Sequence, residues 1–184
     1  MALVYLGNTF DHIKDYYCLP LENFIFEAKI DGYNYKYKMF LTSGRERYRS
    51  IAMNIIDYSD GFLLIFSVTD RGSFDNLGEW IKSIERRCDI KKKVLILVGN
   101  KIDEENRVVT KEEAIKFSRD KNIDYYEVSA KTGIGIKEVV QKFCEEVYKK
   151  CKDIKYNLKI INDKSSKCIN DKSFKNNLNK FFCF

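Results

Sequence analysis

Apolar and polar positions change period several times along the chain, and each change predicts a different element. Residues 24–30 and 33–40 flank Asp31-Gly32, a pair suited to a tight hairpin turn. Tyr33, Tyr35, Tyr37 and Met39 alternate at period two, which puts them on one face of a strand. Residues 61–68 (GFLLIFSV) are almost continuously apolar, as a strand covered on both faces requires. Phe74, Leu77, Trp80, Ile81 and Ile84 follow helical spacing. A second buried strand is predicted over 93–98 (KVLILV) and a third over 123–128. Between them Thr110-x-x-Glu113 forms a capping box that opens a helix. Ile136, Val139, Val140, Phe143 and Val147 make the apolar stripe of a last helix. Strand–helix alternation of this kind predicts an α/β fold, a mainly parallel sheet with helices on both faces, whose ligand crevice lies at the carboxyl ends of the strands.

Beyond about Cys151 the pattern fades into Lys, Asn and Ser. The expected organisation is therefore one domain over 1–151 and a basic, disordered tail over 152–184. Charge supports the division. The ten Lys and three Asp from Lys149 onward carry more than the whole net charge of +6, leaving the rest of the chain near neutral. This basic character belongs to the tail and not to a nucleic-acid-binding face, and it suits an anionic membrane surface. Six cysteines (Cys18, Cys88, Cys144, Cys151, Cys168, Cys183) show no C-x-x-C pair, and His12 is the single histidine, so a histidine-based metal site or triad is not expected. No apolar run approaches the ~18 residues of a membrane span. A signal-peptide pattern is also lacking, and a reducing, cytoplasmic setting is the default expectation.

Two short motifs sit where the crevice should be. Asn100-Lys101-Ile102-Asp103 follows the strand ending at Val98-Gly99, and Ser129-Ala130-Lys131 follows the strand ending at Val128. A carboxylate such as Asp103 accepts two hydrogen bonds from the N1–H and exocyclic amine of guanine. Adenine lacks that donor pair and would leave the carboxylate unpaired, which is costly. The Ala130 N–H is placed to donate to the guanine carbonyl, and the apolar stem of Lys101 to cover a face of the base.

Together, N-K-I-D and V-S-A-K resemble the two guanine-specificity motifs of small GTPases, at the separation usual in that family. Residues 43–51 (SGRERYRSI) resemble the switch II segment D-T-A-G-Q-E-R-F-R-S-I of the Rab branch, and Phe66-Ser67-Val68-Thr69-Asp70 with Ser73-Phe74 resembles the Rab stretch Y-D-V-T-D…S-F. The resemblance covers roughly 8–150. It implies a Rab-like switch that binds GTP or GDP with Mg2+ in vesicle-mediated transport and engages Rab-type effectors and regulators. Asn100, Lys101, Asp103, Ser129, Ala130 and Lys131 become the guanine site, and Gly44 the residue nearest the phosphates.

Several parts of the family's site are missing from this sequence. The phosphate loop G-x-x-x-x-G-K-S/T does not occur, and no Ser or Thr lies between Phe10 and Leu41 to supply the switch I hydroxyl. Leu41 stands where the family has a magnesium-shell Asp, and Arg45 where it has the water-orienting Gln. Charge-assisted hydrogen bonds contribute roughly 1.5–3 kcal/mol each, so losing about five removes on the order of 10 kcal/mol. Nucleotide binding is therefore expected to be weak, or to depend on residues preceding this sequence; Mg2+ is not expected to be held firmly, and hydrolysis is expected to be impaired, with no catalytic residue assigned.

Two registers account for the N-terminus. In one, residues 3–10 match the end of the family's first helix, so the first strand and phosphate loop are absent. That strand is central in the family's sheet, and its loss would leave two neighbours with unpaired backbone. In the other, residues 2–6 are the first strand and 7–14 a degenerate phosphate loop. At the other end, Cys183 is a lipidation candidate, although Phe181-Phe182-Cys183-Phe184 fits neither the paired-cysteine ending of Rabs nor a C-a-a-X box. Prenylation there, with the basic tail, would make the chain peripheral on the cytosolic face of an endomembrane. The contrasting expectation is a pseudo-GTPase, a protein-interaction module without a nucleotide cycle.

Overall fold

The computed structural model describes residues 21–42, 49–162 and 179–183. Strands β1 (Leu21–Ile30) and β2 (Tyr33–Thr42) pair antiparallel through the Asp31-Gly32 turn, where both residues take positive φ (50° and 83°). There follow α1 (Arg49–Ile56), β3 (Gly61–Ser67), α2 (Arg71–Asp75), α3 (Leu77–Glu85), β4 (Val94–Asn100), α4 (Lys111–Lys121), β5 (Asp124–Glu127), α5 (Ile136–Asn162) and β6 (Asn179–Cys183). The six strands form one sheet in the order β1-β2-β6-β3-β4-β5, with every pair parallel except the β1–β2 hairpin.

Helices cover both faces, which is why β3 and β4 lack polar alternation. Leu63, Ile96 and Val98 join Tyr37 and Met39 under the α5 stripe of Ile136, Val139, Val140, Phe143 and Val147. Phe62, Leu64, Phe66 and Leu97 point the other way, against Ile56, Leu77, Trp80, Ile81, Ile84 and Ala114 from α1, α3 and α4. Two bonds fasten the hairpin to α5. The buried Tyr37 hydroxyl donates to the Cys144 carbonyl (3.1 Å), and Gln141 Nε2 donates to the Lys29 carbonyl (3.0 Å).

The expected tail over 152–184 differs from the structure in two places. Helix α5 continues past residue 151 to Asn162. No Gly or Pro interrupts 136–162, so nothing in the sequence stops the helix where its buried stripe ends. Then Asn179–Cys183 forms β6 in the middle of the sheet. A five-residue strand that is paired on both sides is too short to show a period, and its surroundings of Lys and Asn hid it. β6 thus lies between β2 and β3 in the sheet. Residues 2–6 and 7–14, the alternative first strand and phosphate loop, lie outside the described residues.

Candidate functional site

Carboxyl ends of β4 and β5 lie side by side because the two strands pair parallel, with Gly99 opposite Glu127. The chain leaving each strand enters one loop cluster. Asn100 closes β4, and Lys101 turns the backbone with φ 69°. The Ile102 N–H donates to the Val128 carbonyl (3.4 Å) and the Val128 N–H to the Gly99 carbonyl (2.8 Å), so the two motifs are tied by backbone before any side chain is considered.

Side chains complete the connection. Asn100 Oδ1 accepts from the Ala130 N–H (3.0 Å), and Ser129 Oγ donates to Asp103 Oδ1 (2.5 Å) while accepting from the Thr132 N–H (3.0 Å). The Asp103 side chain is 13% exposed, and its Oδ2 lies 3.9 Å from Lys131 Nζ. The Ser129 hydroxyl, above all, holds the Asp103 carboxyl below the ordinary aspartate range; burial opposes this, and Lys131 and Lys101 add to it. Asp103 is therefore an ionised acceptor. Ser129 uses one of its roughly four lone-pair sites, which leaves room for two donors from a ligand.

The structure brings Asn100, Asp103, Ser129, Ala130 and Lys131 together, and Lys101 is exposed beside them. The Ala130 N–H, expected to donate to a base carbonyl, donates here to Asn100 Oδ1 (3.0 Å). Leu41 ends up in β2, partly buried against the α5-side core, and offers only carbon atoms. Gly44 and Arg45 lie outside the described residues. Cys183 is a strand residue in register with Leu41 and Leu63.

Sequence reasoning missed the support beneath this cluster. Arg107 Nη1 donates to Glu127 Oε1 (2.9 Å) and to the Val109 carbonyl (3.4 Å), and the Tyr125 hydroxyl donates to the same Glu127 oxygen (2.8 Å). Side-chain exposures of 29% for Arg107 and 17% for Glu127 make this a half-buried ion pair. Burial pushes the Glu127 carboxyl up, but hydrogen bonds from Arg107 and Tyr125 outweigh it and hold the group below its ordinary range. The pair pins the loop that carries Asp103 to β5. Val108 and Val109 N–H groups also bond the Val68 carbonyl (2.9 and 3.0 Å). Gly99 is required by the same packing, since a Cβ there would stand 2.7 Å from the Tyr125 hydroxyl and 3.2 Å from the Phe66 ring. At Gly135 (φ 73°) a Cβ would meet the Glu127 carbonyl at 2.7 Å.

Residues 1–149 match the Ras family. The chain is 35% identical over 118 residues to the Ras-related protein Rab-18-B of Danio rerio, covering 64% of this chain and 58% of that protein. It is 33% identical over 118 residues to Rab-18 of Caenorhabditis elegans, covering 64% and 58%, and 33% identical over 135 residues to RabZ of Dictyostelium discoideum, covering 73% and 58%. These matches thus span 58% of the length of each relative.

Proposed function

The chain belongs to the Ras family of small GTPases and is Rab-like, and on that premise we propose that it is a guanine-nucleotide-binding switch in intracellular membrane traffic with impaired hydrolysis. The observation that carries the reading is the Asp103 carboxylate, ionised and oriented by Ser129 at the joined ends of β4 and β5.

Asp103 accepts from the N1–H and 2-amine of guanine. The Ser129 hydroxyl keeps the carboxylate in one rotamer, so little orienting entropy is lost on binding. Asn100 fixes the Ala130 loop, and a base carbonyl competes with Asn100 Oδ1 for the Ala130 N–H. Lys101 lays its stem along the base, and Lys131 supports the Asp103 charge. Gly44 is assigned to the phosphate end through its backbone N–H. GTP, when bound, supplies the γ-phosphate around which switch segments order. Leu41 provides no oxygen for Mg2+, and Arg45 cannot orient water as Gln does, so turnover is slow. The Lys-rich segment meets anionic lipid, and Rab-type regulators and effectors read the surface.

Fluorescent GDP, GTP and ATP analogues titrated against the purified chain test the reading. Guanine analogues should bind at least about tenfold more tightly than adenine ones, since one lost hydrogen bond to a charged group costs roughly 1.5–3 kcal/mol. Equal affinity would overturn it.

The partly buried carbon side chain of Leu41 favours a second reading, a pseudo-GTPase that binds partner proteins without a nucleotide cycle. In that case Asp103→Ala leaves partner binding unchanged.

A further inference from the structure

β1 is an end strand of the sheet, paired only with β2 among the described residues. Its ten residues match β2 one to one from Leu21 to Ile30, without a bulge, and include no Pro. An edge left uninterrupted in this way is a template for pairing with another strand. The turn fixes which backbone groups face that edge. Ile30 and Tyr33 flank the two-residue Asp31-Gly32 turn and so exchange N–H···O bonds, and bonded and non-bonded pairs alternate from there. Asn23, Ile25, Glu27 and Lys29 therefore turn their N–H and carbonyl groups away from β2. The Lys29 carbonyl agrees with this phase, since it accepts from Gln141 Nε2 (3.0 Å), which reaches over from α5. Asn23, Ile25 and Glu27 are exposed and have no such partner among the described residues. Ile25 is 58% exposed, an apolar side chain left in water beside an open edge.

We infer that the open edge of β1 is a dimerisation surface, taken by β1 of a second copy in antiparallel pairing about a two-fold axis at Ile25. The strand's own complementarity selects both occupant and register. Centred on Ile25, the two exposed isoleucines cover each other across the axis. Each Glu27 carboxylate then lies opposite the other copy's Asn23, whose amide donates to it. The outward N–H and carbonyl groups of Asn23, Ile25 and Glu27 find main-chain partners, which give affinity in strand addition. Lys29 keeps its bond to Gln141. Centring on Glu27 would set like charges against each other at the axis, and centring on Ala28 would need the Lys29 carbonyl that Gln141 holds. Phe26, Ala28 and Ile30 stay buried in the core beneath α5 in each copy, so the sheets join edge to edge with neither core disturbed. Such an interface is isologous and closes as a dimer.

The test is sedimentation velocity on the full chain over a concentration series reaching about 100 μM, with wild type, Ile25→Lys, Ile25→Glu and an equimolar mixture of the two variants. Wild type should dimerise within the series. Each variant alone should dimerise at least about tenfold more weakly, because like charges meet across the axis. The mixture should recover pairing, because the facing charges become opposite. Ile25 is exposed, so neither change reaches the core. Amide exchange gives a reading that needs no variant: the N–H groups of Asn23, Ile25 and Glu27 should exchange more slowly as wild-type concentration rises. A wild-type chain that stays monomeric, with exchange independent of concentration, overturns the inference. A dimer that both variants keep unchanged also overturns it, by placing the interface elsewhere. Pairing lost in the variants and not recovered on mixing overturns the Ile25-centred register.

Discussion

Arg107→Ala removes the guanidinium that joins the Asp103 loop to β5 and leaves the Tyr125 hydroxyl donating to the Glu127 carboxylate. A charge-assisted hydrogen bond contributes about 1.5–3 kcal/mol when well sheltered. The pair is part-exposed, at 29% and 17%, so solvent screening reduces this to about 1–2 kcal/mol. For a chain of this size that is a fall in Tm of about 2–8 °C. The sign of the pH dependence follows from the depressed Glu127 carboxyl. A carboxylate whose folded pKa lies below its unfolded one contributes stability above the unfolded value and loses it as pH falls through the folded one. The cost of Arg107→Ala is therefore largest near neutrality and shrinks in acid. Urea unfolding of wild type, Arg107→Ala, Glu127→Gln and the double variant at two pH values gives the coupling energy directly. A coupling of about 1 kcal/mol or more at pH 7, smaller at pH 4, is expected. Coupling below about 0.3 kcal/mol, or no change with pH, would refute the idea that this pair holds the loop.

Gly99→Ala places a methyl group against the Tyr125 hydroxyl and should cost about 1–3 kcal/mol by chemical denaturation. Tyr125→Phe in the same chain should recover part of that loss, because the closest atom is the hydroxyl. Thr110→Ala deletes the oxygen that accepts from the Glu113 N–H (3.1 Å) at the start of α4 and should cost about 1 kcal/mol in Tm-derived stability. Base affinity should fall as pH drops through the depressed Asp103 pKa, since the protonated carboxyl no longer accepts both donors; titration of a guanine analogue at successively lower pH follows it, and affinity that persists undiminished once the carboxyl is protonated would count against Asp103.

Much of this molecule was readable before folding because its signals are local. The Asp31-Gly32 turn, the doubly covered β3 and β4, the α5 stripe and the Thr110 cap each depend on neighbours within a few residues. The capping box was only half right, since the Glu113 carboxylate turns to Arg71 Nη1 (2.6 Å). The motif residues Asn100, Asp103, Ser129 and Ala130 were legible by type and spacing. What each one touches was not, as the Ala130–Asn100 bond illustrates. The Arg107–Glu127–Tyr125 support escaped notice because its members are ordinary residues brought together across 20 positions. β6 escaped for a stronger version of the same reason. Asn179–Cys183 is a strand only by virtue of β2 and β3, and no pattern within five residues records a slot formed so far away.

Swapping the Asp103 acceptor for a donor tests whether this carboxylate selects guanine. Xanthine carries a carbonyl where guanine has its 2-amine, so an amide side chain suits it better than a carboxylate. With wild type and Asp103→Asn compared on GDP and XDP by calorimetry, wild type should prefer GDP and the variant should reverse the preference, each by about tenfold or more. Unchanged preference in the variant, or no binding of GDP by wild type, would contradict it.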